Sequence, residues 1–113
     1  MIIFQWFPKN IEHVAEHGIA PAEAEYIVRN YHPPSPYETR GEKVVVWGQT
    51  RHGRYLQVIF VFLDDDEVDL NALLPADRLS FAAGEAEVGY IIHARELEDH
   101  EKRQLRRRRR RRP

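Results

Sequence analysis

Apolar residues recur at two different periods along this chain, and each change of period marks an element. "IIFQW" is a short apolar run closed by Pro8, which suits a first strand over Ile2–Trp6. From Lys9 to His17 the period lengthens. Val14 and Ala15 fall three and four residues after Ile11, and Gly18 stands where a helix commonly ends in a left-handed turn. "APAEAEYIVRNY" restarts the helical pattern with Pro21 in the first turn and Glu23 and Glu25 near the positive end of the helix dipole. Ala24, Ile27, Val28 and Tyr31 then share one face. "HPPSP" forbids further helix.

Period two returns in "EKVVVWGQT" and "RYLQVIFVFL", both rich in β-branched and aromatic residues. They flank "RHG", whose Gly53 can take a positive φ, so a hairpin is predicted over Glu42–Leu63. "EVGYIIHAR" predicts another strand over Val88–Arg95. Between them residues 64–87, "DDDEVDLNALLPADRLSFAAGEAE", are acidic and lack a strand period. They read as an inserted loop with one short helical turn around Leu70–Leu74. From Glu96 to Leu105 the composition is helical and charged. Arginine favours continuing that helix, while like-charge repulsion predicts fraying beyond about Arg108. The order β-α-α-β-β-insert-β-α predicts an α+β fold, with two N-terminal helices on one face of a small antiparallel sheet and a C-terminal helix. One domain is expected over residues 1–105, with 106–113 as a poly-arginine tail.

Composition adds limits. A chain of 113 residues that is 42% hydrophobic suits one domain with a modest core. No apolar run reaches the roughly 18 residues of a membrane helix, and the first residues lack a signal peptide's basic head. Without cysteine, disulfides and thiolate zinc sites are ruled out. A cytoplasmic protein with no membrane partner is the expectation. The formal net charge of −1 conceals an asymmetry. Of 17 basic residues seven form the run Arg106–Arg112, so the body sets ten against 18 acidic residues, a balance of −8. A basic tail on an acidic body can bind nucleic acid, an acidic partner or its own domain.

Three constellations carry possible chemistry. "HVAEH" puts His13 and His17 four apart on one helix face, but a zinc site needs a third ligand and Gly18 ends the helix at once. The acidic run from Asp64 to Asp69 lacks the alternating spacing and central glycine of a calcium loop. Neither metal nor cofactor is expected. Lys43, Arg54 and Arg95 each stand at a strand end; meeting on one side of the sheet they would form a phosphate-sized positive site. Otherwise each simply covers a strand end with its long side chain.

"KNIEHVAEHGIAPAEA", "GEKVVVWGQTRHGRYLQVIF" and "IIHARELEDHEKRQL" together resemble, in order, the three blocks of the BrnT toxin family. These are RelE-fold ribonucleases of bacterial type II toxin–antitoxin systems. The likeness is carried by Trp6, Lys9, His17-Gly18 with Ala24, Trp47-Gly48, Gly53-Arg54 with Leu56, Ala94-Arg95, and Glu101 to Gln104. The chain departs from the pattern at Phe7, Glu16, His93 and Leu105, where the family has Asp, Lys, Ser and Tyr.

The resemblance implies a RelE-like fold and cleavage of RNA without metal, by attack of a ribose 2′-OH on the adjacent phosphate. It implies Arg54 and Arg95 as charge stabilisers and His17 as the proton carrier, with His93 and Glu42 as further acid–base candidates. Lys9, Lys43 and His93 would hold the RNA backbone. It further implies a ribbon-helix-helix antitoxin resembling BrnA as partner, with a possible dimer inside the complex. The alternative is a non-catalytic relative that binds nucleic acid or a partner. A purely structural relative would have both arginines tied up in internal ion pairs.

Overall fold

The computed structural model describes residues 1–31 and 37–110, so the "HPPSP" break and the last arginines lie outside the described residues. The elements follow as β1 (Ile2–Phe4), α1 (Pro8–Ala15), α2 (Pro21–Arg29), β2 (Tyr37–Arg40), β3 (Lys43–Gln49), β4 (Tyr55–Phe62), α3 (Pro75–Ala82), β5 (Glu87–Glu96) and α4 (Asp99–Arg110). The predicted hairpin is the centre of the sheet. β3 and β4 pair antiparallel from Lys43↔Val61 to Gln49↔Tyr55, and Gly53 in the turn has φ +90°. The turn is closed by Thr50, whose amide donates to the Arg54 carbonyl and whose hydroxyl accepts from the Arg54 amide.

The five strands lie in the order β1-β5-β4-β3-β2. β5 runs antiparallel to β4, but β1 runs parallel to β5, with Ile3 opposite Val88. The sheet is therefore mixed, which corrects the antiparallel expectation. Alternation tells which face a side chain takes and says nothing of a neighbour's direction. Here the direction follows from α1, which starts just after β1 and is tied to β5 by Asn10, whose amide donates to the Gln5 and Ile91 carbonyls. β2, unforeseen in "YETR", is an edge strand, and its polar composition suits an edge.

α1 and α2 pack on one sheet face, as their apolar spacing predicts. Val14, Ile19, Ala24, Ile27 and Val28 form one core with Val44, Val46, Leu56, Val58, Phe60, Ile91 and Ala94. Gly89 sits inside this packing: a Cβ there would lie 3.2 Å from the Phe4 ring, which is held edge-on by Phe60 and covered by Arg29. Gly89→Ala is expected to cost about 1–2 kcal/mol, measured by urea denaturation. Wild-type stability would show that the Phe4 ring yields freely.

Residues 64–87 are more ordered than an inserted loop. Two 3₁₀ turns, Asp65–Glu67 and Leu70–Ala72, precede α3; the second falls where a helical turn was expected, whereas α3 was not foreseen. The segment builds a second core from Val68, Leu73 and Phe81, joined by Leu63, against Ile3 and Val88. Ile3 alternates with Ile2 and Phe4, which face the first core, so the insert covers the β1–β5 edge on the opposite face. Buried Gln5 pins it by donating to the Asp69 carbonyl and accepting from the Asp69 amide.

α4 runs on past the expected end at Leu105 and through Arg108 to Arg110, consistent with arginine's helix propensity outweighing repulsion that far. Leu105 and Glu101 face inward. Beyond them Gln104 and Arg108 border a cleft of about 210 Å³ with Glu38, Arg40, Val45 and Trp47. The end of α4 therefore leans toward β2 and β3, away from the edge the insert covers.

Candidate functional site

The hairpin's turn end is where β4 begins and β3 and β5 finish, and most of the chemically capable side chains gather there. β5 reaches it through a bulge: Ile91 pairs with Phe60 and His93 with Ile59, leaving one extra residue between them. Beyond the bulge the His93 ring lies close to two imidazoles of the α1 segment. Its centroid is 5.0 Å from that of His17 and 5.8 Å from that of His13, both edge-to-face. The "HVAEH" spacing thus sets His13 and His17 a helical turn apart, both close to His93. Lys9 lies a further turn back on the same helix face, exposed.

His93 differs from its neighbours in being partly enclosed, with Nδ1 buried and without a hydrogen-bond partner among the described residues. Burial, then the nearby His17, His13 and Arg95, hold its pKa below the ordinary imidazole value. Charging the ring would put an N–H on Nδ1 with nothing to accept it. A bare lone pair there costs less than an unsatisfied donor, so the ring is best served by carrying its proton on Nε2.

Arg54 enters β4 directly after the turn. Its Nη1 donates to both Glu23 carboxylate oxygens at 2.9 Å and to the Gly18 carbonyl at 3.1 Å. Its Nε and Nη2 donate to Glu96 Oε1 at 3.1 and 3.0 Å. One side chain so ties the α1–α2 link, the start of α2 and the end of β5. The Glu96 bond above all, and Glu23 after it, push the guanidinium pKa upward against burial.

Arg95 lies on the other sheet face. It forms a two-pronged pair with Glu101 of α4, Nη1 to Oε1 at 2.7 Å and Nη2 to Oε2 at 2.9 Å. Nη1 also donates to the Glu96 carbonyl, and Nη2 to Gln57 Oε1, which accepts from Trp47 Nε1 as well. Glu101 in turn accepts from the Glu98 amide, closing the first turn of α4. With Arg95 as the chief cause, its carboxyl is held down to about 2. Of five N–H groups on each guanidinium, these bonds leave one on Arg54 and one on Arg95.

His17, His93, Arg54 and Arg95 are thus brought to one end of the sheet. Lys43 is not. It pairs with Val61 at the hairpin's open end, six residues along β3 from Gln49, or about 20 Å. Of the two readings of the three cations, the one in which Lys43 joins Arg54 and Arg95 is therefore not the arrangement found. Glu42, exposed in the β2–β3 turn, is equally remote from the imidazoles. In the sequence His13 stands out only as a metal ligand, although its spacing from His17 places both rings on one face. Glu23, Glu96 and Glu101 as arginine partners had no local signal.

Among the described residues, no group of three or more His, Cys, Asp or Glu is arranged to hold a metal ion. None of the described helices is long and apolar enough to cross a membrane. The fold defines the protein as an α+β domain on a mixed five-stranded sheet. The chain matches no protein-family model and no curated protein.

Proposed function

We propose that this chain is a metal-independent endoribonuclease, the toxin of a bacterial toxin–antitoxin pair of the BrnT kind its sequence resembles. The supporting observation is the imidazole trio, with the His13 and His17 ring centroids 5.8 and 5.0 Å from that of His93, and both arginines at the same sheet end. Imidazole is the side chain whose ordinary pKa suits proton transfer at neutral pH. In this reading His17 takes the proton of a ribose 2′-OH, and the 2′-oxygen forms a bond to the adjacent phosphorus. The bond from phosphorus to the 5′-oxygen breaks, and that oxygen receives a proton from His13. The products are a 2′,3′-cyclic phosphate and a 5′-hydroxyl.

Neutral His93 donates Nε2–H to a non-bridging oxygen as charge builds there. Arg54 and Arg95 add one free N–H each. Their charge is largely answered by Glu23, Glu96 and Glu101, so they hold the site together as much as they grip phosphate. Lys9, on the imidazole face of α1, steadies the RNA backbone. Those same ion pairs favour the second reading, a relative that kept the fold and binds nucleic acid or a partner without cutting it.

The purified protein is expected to cleave single-stranded RNA in EDTA and leave 2′,3′-cyclic ends. Inactivity on both naked and ribosome-bound RNA would transfer the function to the second reading. A small ribbon-helix-helix protein encoded alongside is the expected partner, in the cytoplasm. Co-expression and size-exclusion chromatography test it, and separate elution at micromolar concentration would remove the antitoxin from the proposal.

A further inference from the structure

The insert covers the β1–β5 edge, yet its helix is turned the opposite way from most surface helices. In α3 the half-buried residues are Asp77, Ser80 and Phe81, so two of the three side chains facing the protein are polar. The outward residues are mostly apolar. Pro75, Leu79 and Ala82 recur at helical spacing with Ala76 and Ala83 beside them, and all five are exposed. Leu79, in the middle of this stripe, is 74% exposed, more than any other large hydrophobic residue among those described. Single exposed leucines are common on protein surfaces. A helix that turns its apolar stripe to solvent and an aspartate and a serine to the protein is not.

The C-terminal end of α3 borders a cleft of about 580 Å³ at the open end of the β3–β4 hairpin. Phe62 and Phe81 supply apolar lining, and Asp64, Asp65, Asp66 and Glu87 supply carboxylates. Among the described residues no ion pair answers any of these four acids. Residues 64–87 as a whole set eight acidic residues against one basic, a balance of −7.

We infer that the outer face of α3 and the adjoining cleft dock a basic amphipathic helix of a partner protein, with its apolar stripe on Leu79 and its cations at the cleft. Charge selects this occupant. A nucleic acid or an anionic lipid surface is repelled by a segment with a balance of −7. A second copy would bring the same acids to a symmetric contact. Its arginine-rich α4 cannot supply the apolar half either, because the one apolar residue there, Leu105, is fully buried in its own fold. A helix suits the stripe, since small Ala76, Ala82 and Ala83 beside Leu79 leave grooves for another helix's side chains. The cleft lies at the start of β5 and the imidazole trio beyond the bulge toward its end, so the inference stands without the nuclease.

The probe is a labelled lysine–leucine peptide of about 18 residues, long enough to form a helix, with leucines at helical spacing. A scrambled isomer of the same composition is the control, and both are titrated with the full chain by fluorescence anisotropy. The helical isomer is expected to bind, and the scrambled one to bind at least roughly tenfold more weakly. Leu79→Ser, at a site too exposed to carry the fold, is expected to weaken binding of the helical isomer roughly tenfold. Replacing Asp65 and Asp66 together by asparagine should weaken it as well and flatten its salt dependence. No binding by the wild type, equal affinity for the two isomers, or unchanged affinity in either variant would overturn the inference. So would sedimentation of the free chain as a dimer that Leu79→Ser dissociates, which gives the face to a second copy. Adsorption to phosphatidylglycerol vesicles that the same variant abolishes would give it to lipid and overturn the inference equally.

Discussion

Replacing His17 by glutamine is expected to slow RNA cleavage by on the order of a hundredfold to ten-thousandfold, and His13→Gln by a similar factor. Glutamine keeps a hydrogen-bonding side chain of similar reach and removes the titration. Both histidines are exposed and outside the core, so thermal unfolding should be unaffected. His93→Gln is expected to act differently, because in the proposed mechanism that ring supplies a neutral donor and it sits partly enclosed. Its lowered pKa means that the unfolded chain binds its proton more readily, so His93 makes the wild type lose stability as pH falls below the ordinary imidazole value of 6.5. The glutamine variant should lose that part of the acid sensitivity along with its activity. An active wild type whose rate is indifferent to both His13→Gln and His17→Gln would place the chemistry elsewhere.

Glu101→Ala should produce the larger change in stability, about 2 kcal/mol at neutral pH. Removing this carboxylate leaves Arg95 without its two-pronged partner and the Glu98 amide without its acceptor. Breaking a fully buried pair costs about 3–5 kcal/mol. Here the Arg95 side chain is 29% exposed against 11% for Glu101, so solvent answers part of the loss. The pH dependence has a definite sign. The folded carboxyl is depressed from 4.5 to about 2, so its stabilisation is whole above the higher value and disappears as pH falls through the lower. Urea titrations of the two proteins should therefore converge as the medium is acidified across that interval. Identical midpoints at neutral pH would show that the pair contributes nothing.

The contrast between Lys43 and Arg54 shows what was legible in the chain and what was not. Period two gave the hairpin, and in a hairpin the start of one strand lies beside the end of the other. Lys43 and Arg54 open consecutive antiparallel strands, so their separation could have been read from the same pattern that placed them on strands. Arg54 and Arg95 open one strand and close the next, and these do meet at one end. The carboxylates that clamp them follow from no local rule, since Glu96 and Glu23 reach Arg54 across 42 and 31 residues. Likewise α1 and α2 announced themselves by apolar spacing, whereas α3 did not. Its eight residues present mainly Phe81 to a small core whose other half comes from β1 and β5.

The opposite placement of the insert and the arginine helix makes the molecule strongly polar in the electrical sense despite its formal charge of −1. The acidic segment lies over the β1–β5 edge, and α4 leans toward the β2–β3 edge on the far side of the same sheet. In the field of a polyanion such a body feels a torque before it feels net attraction or repulsion, and it turns its arginines forward. The Debye length grows from roughly 10 Å at 0.1 M salt to roughly 30 Å at 0.01 M, so at low ionic strength that orientation acts over a longer approach. An isoelectric point near 6.6 therefore says little about which surfaces the protein will adsorb to, because each pole meets its own counter-charge.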